Sequence, residues 1–356
     1  MLDFFWNLLD NAIEGIGWCQ YLIYIAFLLV GIFFLVKFCD IFVDSASVLA
    51  KKLHVSQLII GLTVVAMGTS CPELAVSVSG SIQALINGTT ANIAIGNVVG
   101  SNICNILLVL GLSCVFTPIV VKKSVCKKEF PFLLGVTALL LIFGLFFSIG
   151  DYPYAITRWE GIILVILIPV YIFFLVYNAK KHPEEQAVEE EEIVDEPLPK
   201  AIILTIVGII GILLGGEFVV YGAQRIAVNT AVACGLNKEM VEALVGLTIV
   251  AVGTSLPELV TSVIAAKKGQ NELALGNVIG SNIFNTIFVL GIAAVTCDLS
   301  TLNSQLWVEV TVMMSITVLV FIMALKGKLS KKDGWILLGL YVLFVVYLIL
   351  RTILVK

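Results

Sequence analysis

Residues 61–77 of this chain, GLTVVAMGTSCPELAVS, recur at 246–262 as GLTIVAVGTSLPELVTS, identical at 12 of 17 positions. A second pair follows each copy in the same order: GNVVGSNICN at 96–105 and GNVIGSNIFN at 276–285, identical at 8 of 10. Both copies lie within long apolar runs, and the second lies five such runs beyond the first. An element that recurs after an odd number of membrane crossings runs in the opposite direction, so the two copies form an inverted pair.

The apolar runs read as 22–50, 55–86, 91–118, 129–149, 156–178, 200–233, 239–267, 271–297, 305–325 and 334–354. Each approaches or exceeds the roughly 20 residues that cross a hydrocarbon core. Hydrophobic residues make up 60 % and charged residues 13 %, against roughly 45–50 % and 25 % in soluble domains. The expected fold is an all-α membrane protein of about ten transmembrane helices in two inverted five-helix repeats. Its expected parts are an N-terminal segment (1–20) on the membrane surface, a first repeat (21–178), an acidic linker (179–199) and a second repeat (200–356). Leu2, Phe5, Leu9, Ile13 and Ile16 give the first part its apolar face.

The linker region, NAKKHPEEQAVEEEEIVDEPLPK at 178–200, holds eight acidic residues and three prolines. It reads as a solvated tether, and it lacks the D-x-D-x-D-G spacing of a calcium loop. If it is cytoplasmic, the loops on its side carry fifteen lysines, while the opposite side carries Arg158, Lys238, Arg351 and Lys356. This positive-inside bias places both termini outside. The net charge of −4 says little, because the charge is clustered. The eight cysteines form no CxxC pair; Cys39, Cys71, Cys104, Cys114 and Cys234 read as small buried thiols. With only His54 and His182, and no HExxH or GxSxG motif, neither a histidine zinc site nor a hydrolase is expected.

The repeated motifs carry the chemistry. Glu73 and Glu258 each follow a proline near the middle of an apolar run. Pro72 and Pro257 lack an N–H and so leave a helical carbonyl unpartnered. Irregular backbone at that depth persists only where something else satisfies it. Thr69, Glu73 and Ser77 are four apart and would share a helix face, with Ser70 one step round. The second copy supplies Thr254, Ser255, Glu258 and Ser262. Ser101 and Asn105 are likewise four apart, as are Ser281 and Asn285. Asn102 and Asn282 read as interhelical glue. Two carboxylates, hydroxyls, amide oxygens and freed carbonyls make an all-oxygen set suited to hard cations. A cation between the carboxylates would offset both their burial and their mutual repulsion. Asp40, Asp44 and Glu217, which lack a duplicated oxygen shell, read as structural partners of Lys37 and Arg225. GNVVGSN follows no strand and carries no GK[ST], so it is not read as a phosphate loop.

At these residues the chain resembles the sodium/calcium exchanger family of cation/calcium antiporters. The family pattern GTSxPE occurs as GTSCPE and GTSLPE, and GNxxGSNIxN as GNVVGSNICN and GNVIGSNIFN. The resemblance implies a ten-helix inverted-repeat fold in which spans two, three, seven and eight form the ion site and spans one and six slide across them. Carried over residue by residue, it implies Glu73 and Glu258 at the centre. Ala66, Thr69, Ser70, Ser101 and Asn105 would join from the first repeat. Ala251, Thr254, Ser255, Ser281 and Asn285 would join from the second, with the alanines acting through their carbonyls. Some relatives carry Asp where this chain has Asn285. The linker is too short for the regulatory domain of animal exchangers, which points to a prokaryotic-type member in the inner membrane. The expected activity is antiport of Na+ against Ca2+. A Ca2+/H+ antiporter on the same fold is the alternative, and a passive cation channel the more remote one. Expected partners are Ca2+, Na+ and the lipid bilayer, with no resident cofactor, nucleic acid or obligate protein partner.

Overall fold

A computed structural model describes residues 6, 10, 19–89, 91–146, 155–181, 196–234, 251–300 and 306–354. Eleven principal helices occur among them: α1 Cys19–Leu53, α2 Gln57–Thr69, α3 Cys71–Ile86, α4 Ile93–Phe116, α5 Glu129–Phe146, α6 Arg158–Lys181, α7 Leu198–Ala233, α8 Leu256–Lys267, α9 Asn271–Thr296, α10 Leu306–Ala324 and α11 Lys331–Leu354. A short helix, Ala251–Thr254, precedes α8. Six of the described helices are long and apolar enough to cross a membrane, and a seventh span forms if the bent pair α2–α3 is counted once. The first part of expected span seven, 239–250, lies outside the described residues, as do 235–238 and most of 1–18 and of the acidic linker.

Burial separates a centre from a rim. The apolar stretches of α4 and α9 are 78 % and 83 % buried, against 17–33 % for α1, α6, α7 and α11. Side chains such as Phe173, Leu343 and Phe33 stand exposed on these outer helices, as a lipid-facing surface requires.

Two small strand pairs record the inversion. Ile119–Val120, after α4, pairs antiparallel with Lys328–Leu329, before α11; Ala155–Ile156, before α6, pairs with Leu299–Ser300, after α9. Paired segments must lie on one side of the membrane. Lys122 pairs with Glu272 and Lys267 sits over the Phe116 ring, adding the α8–α9 turn to the first group. The Ala91 N–H donates to Asp298 O at 3.2 Å, adding the α3–α4 turn to the second. This partition agrees with strict alternation of ten spans.

Close helix contacts repeat with the same symmetry. A Cβ on Gly334 would come within 2.7 Å of Gly111 O, joining α11 to α4; one on Gly161 would come within 2.8 Å of the Ala294 Cβ, joining α6 to α9. The long helices α1 and α7 form a separate pair. Gly208 and Gly215 admit Phe42 and Leu35 of α1, where a Cβ would meet atoms at 2.7 and 2.8 Å. Small residues let helix backbones approach this closely.

The charges around α1 and α7 find partners other than those expected. Asp40 and Asp44 both reach Lys268, at 2.5 and 2.6 Å, while Arg225 pairs with Asp10. Asp10 also accepts from the Tyr221 hydroxyl at 2.7 Å, and Trp6 stacks on the Tyr221 ring. The helix periodicity used to assign partners operates within a helix, whereas these contacts join residues more than 200 positions apart. The eight cysteines are free, but Cys71 and Cys234 are exposed rather than buried.

Candidate cation site

The GTSxPE motif builds a helix break. α2 ends at Thr69 and α3 starts at Cys71, with a 47° bend between them. Ser70 (φ −82°, ψ 7°) and Ser255 (φ −87°, ψ 3°) sit at equivalent breaks with almost identical backbones. Pro72 and Pro257 then occupy the first turn of α3 and α8, where a missing N–H costs nothing. Glu73 and Glu258 fall in the same first turn, where the helix dipole favours negative charge. α2 and the short helix Ala251–Thr254 end at these breaks, and the carbonyl end of a helix favours positive charge.

Both glutamates are 0 % exposed. α3 packs on α4, α8 on α9, α2 on α9, and helix Ala251–Thr254 on α4. This crossed packing corrects one expectation. The break at Ser70 takes Thr69 off the helix face of Glu73. Its hydroxyl lies 3.2 Å from Asn277 Oδ1 and 3.5 Å from Ser281 Oγ, in the other repeat. Ser70 Oγ donates to Glu258 Oε1 at 3.2 Å. Thr69 and Ser281 also face the Glu258 carboxylate, while Ser101 and Thr254 face that of Glu73. Each glutamate is therefore flanked by hydroxyls from both repeats.

Many of these buried oxygens lack a partner. Both carboxylate oxygens of Glu73, Glu258 Oε2, Ser101 Oγ, Ser255 Oγ, Asn285 Oδ1 and both amide atoms of Asn105 make no hydrogen bond. A buried polar atom left unpaired costs about 1–3 kcal/mol, and more when charged. These atoms belong to residues that the sequence pattern singles out, and oxygens of these types suit a hard cation. Among the described residues no group of three or more His, Cys, Asp or Glu side chains is placed to hold a metal ion.

Asn105 and Asn285 each open a π-helical turn, Asn105–Val109 and Asn285–Val289, a distortion frequent at functional sites. Ala66 O accepts from Ser70 N–H at 3.0 Å and from the Thr69 hydroxyl at 3.4 Å. Ala251 opens the short helix before Ser255.

Sequence reasoning passed over Asn97 and Asn277. Asn97 Nδ2 donates to Glu73 O at 3.2 Å and to Ser77 Oγ at 3.0 Å. Asn277 Nδ2 donates to Glu258 O at 3.4 Å and to Ser262 Oγ at 2.9 Å. The two amides tie each glutamate-bearing turn to the neighbouring helix in the same way. Their signal was present: each is the Asn of a duplicated GNxxGSN. Ser77 and Ser262, placed on the glutamate face by spacing, are partners of these amides.

A model of the family described as sodium/calcium exchanger protein matches residues 23–177 and 200–350. The sodium/calcium exchanger MaX1 of Methanosarcina acetivorans is 33 % identical over 353 residues, covering 90 % of this chain and 97 % of that one. The inner membrane protein YrbG of Escherichia coli is 35 % identical over 275 residues, 76 % of this chain and 78 % of that protein. A solved structure of the sodium-calcium exchanger NCX_Mj superposes with a TM-score of 0.74 at 32 % identity, covering 91 % of this chain and 97 % of that one. The chain belongs to the sodium/calcium exchanger protein family, as a multi-pass membrane cation antiporter with the ten-helix inverted-repeat fold.

Proposed function

We propose that this protein exchanges Na+ for Ca2+ by alternating access at a site centred on Glu73 and Glu258. The observation that carries the reading is the cluster of unpartnered buried oxygens on those two residues and on Ser101, Ser255, Asn105 and Asn285. Thr69, Ser70, Thr254, Ser281 and the Ala66 and Ala251 carbonyls complete the set. Two carboxylates neutralise one Ca2+, so several Na+ must use the same oxygens, and competition for them couples the two fluxes. The neutral hydroxyl and amide oxygens favour Na+ over H+ as the driving ion, because protons would need the carboxylates alone. Among the described residues no third carboxylate joins these two, and the reading calls for no K+.

The α1–α7 pair is the proposed moving part. Its Ile209 and Val220 side chains rest on Gly68 and Gly253, the glycines of the two breaks, which gives it a surface of low relief next to the site. The repeats 21–178 and 200–356 form the transporter, 179–199 is a cytoplasmic tether, and both termini lie outside an inner membrane.

The test is Ca2+ uptake into proteoliposomes under an imposed Na+ gradient at fixed pH, against a pH gradient without Na+. Uptake driven by Na+ supports the reading; uptake driven only by the pH gradient favours Ca2+/H+ exchange. Equilibration that needs no counter-ion indicates a channel.

A further inference from the structure

The two asparagines proposed as symmetric ligands are not held alike. Asn282 O accepts from the Thr286 hydroxyl at 2.8 Å and from Asn102 Nδ2 at 3.4 Å. With its one proton directed to that carbonyl, the Thr286 oxygen can only accept from Asn102 Nδ2, which lies 3.0 Å away. Both partners of this Nδ2 are therefore acceptors, and the Asn102 amide has one allowed orientation. Its Oδ1 faces Asn285 Nδ2 at 3.2 Å. That contact in turn fixes the Asn285 amide, whose Oδ1 is left buried and unpartnered. All four residues are at most 1 % exposed, so no solvent competes for these bonds.

The first repeat lacks this chain of bonds. Where the second repeat has Thr286, the first has Ile106. Asn282, the counterpart of Asn102, donates to Val278 O of its own helix at 2.9 Å rather than gluing helices together. Asn105 has no hydrogen-bond partner for either amide atom.

We infer that Asn102 and Thr286 are positioning residues: they present Asn285 as a fixed, neutral oxygen ligand, while its counterpart Asn105 is free to reorient. The network also sets which residue the position accepts. A carboxylate at 285 would turn lone pairs toward the lone pairs of Asn102 Oδ1, so the site is built to hold two formal negative charges. This inference rests on the functional reading above, since it concerns the ligand set of that site.

The experiment measures Na+-driven Ca2+ uptake by wild type, Thr286→Val and Thr286→Ser in proteoliposomes. Thr286→Val keeps the shape and removes the hydroxyl. Its Ca2+ half-saturation concentration should rise about fivefold, the size of one net hydrogen bond, with the maximal rate within about twofold of wild type. Thr286→Ser should restore half-saturation, because it restores acceptor and donor. In an Asn285→Ser background, whose side chain is too short to meet Asn102, Thr286→Val should have no further effect. If Thr286→Val does not assemble, Thr286→Ile replaces it, since isoleucine occupies the equivalent position 106. Unchanged half-saturation in Thr286→Val, or an effect that persists in full in the Asn285→Ser background, overturns the inference while leaving the function intact. A wild type that moves no Ca2+ overturns the functional reading and the inference with it.

Discussion

Replacing Glu73 by glutamine removes a charge but no hydrogen bond. Neither carboxylate oxygen of Glu73 has a partner, and glutamine has nearly the same shape. An ionised side chain at bilayer depth costs about 2.5–3.5 kcal/mol on insertion scales. In Ca2+-free buffer Glu73→Gln should therefore be at least as stable as wild type, and more stable by up to about 3 kcal/mol. Ca2+ should reverse the order. Wild type gains about 2.7 kcal/mol when Ca2+ reaches a hundred times its dissociation constant. Removing one partner of a buried charge pair costs about 3–5 kcal/mol, so the variant's Ca2+ affinity should fall on the order of 10²–10⁴-fold and its stabilisation by Ca2+ should vanish. The assay is thermal unfolding of the purified protein in mild detergent, with chelator and with saturating Ca2+. A Glu73→Gln protein less stable than wild type in chelator, yet still raised by Ca2+, would show Glu73 to be a structural group in a packed core rather than a Ca2+ ligand.

Asn277 is fully buried and Asn97 half-buried; with an interhelical hydrogen bond in a membrane worth about 0.6 kcal/mol, Asn277→Ala should destabilise by roughly 1–2 kcal/mol and Asn97→Ala by less, as read from unfolding midpoints in detergent. The Lys268 bridges to Asp40 and Asp44 tie α1 to the α8–α9 turn. They are partly exposed and worth up to about 1 kcal/mol, so Lys268→Ala should change Ca2+ half-saturation by at most about fivefold, and more strongly from one face of the membrane than from the other. An equal change from both faces would separate this tie from the α1 movement. A cysteine at position 190, in a variant without the native cysteines, should react with an impermeant reagent only from the cytoplasmic side; labelling of intact cells from outside would invert the topology.

The inverted architecture was legible because it rests on duplication and on the parity of the apolar runs. Both signals survive any detail of packing. The residues of the proposed site stand out in the sequence for the same reason: Glu73, Ser101 and Asn105 and their counterparts occur twice with the same spacing. Spacing failed where the helix failed. Assigning Thr69 to the face of Glu73 assumed a continuous helix through Ser70, and the 47° bend sends that hydroxyl to the other repeat. Partners more than 200 positions apart, such as Arg225 with Asp10 or Lys268 with Asp44, leave no periodic trace. Asn97 and Asn277 carried the duplication signal, but an amide that ties two helices together looks in sequence the same as one that binds an ion. The asymmetry between Ile106 and Thr286 was visible only as a mismatch between the copies.

If Glu73 and Glu258 bind one Ca2+ at a site that Na+ competes for, equilibrium Ca2+ titration of the purified protein at rising Na+ should give one Ca2+ per chain and an apparent affinity that falls as Na+ rises. Glu258→Gln should lose Ca2+ binding while remaining folded. Wild-type-like Ca2+ binding by Glu258→Gln, or Ca2+ binding indifferent to Na+, would contradict the proposed site.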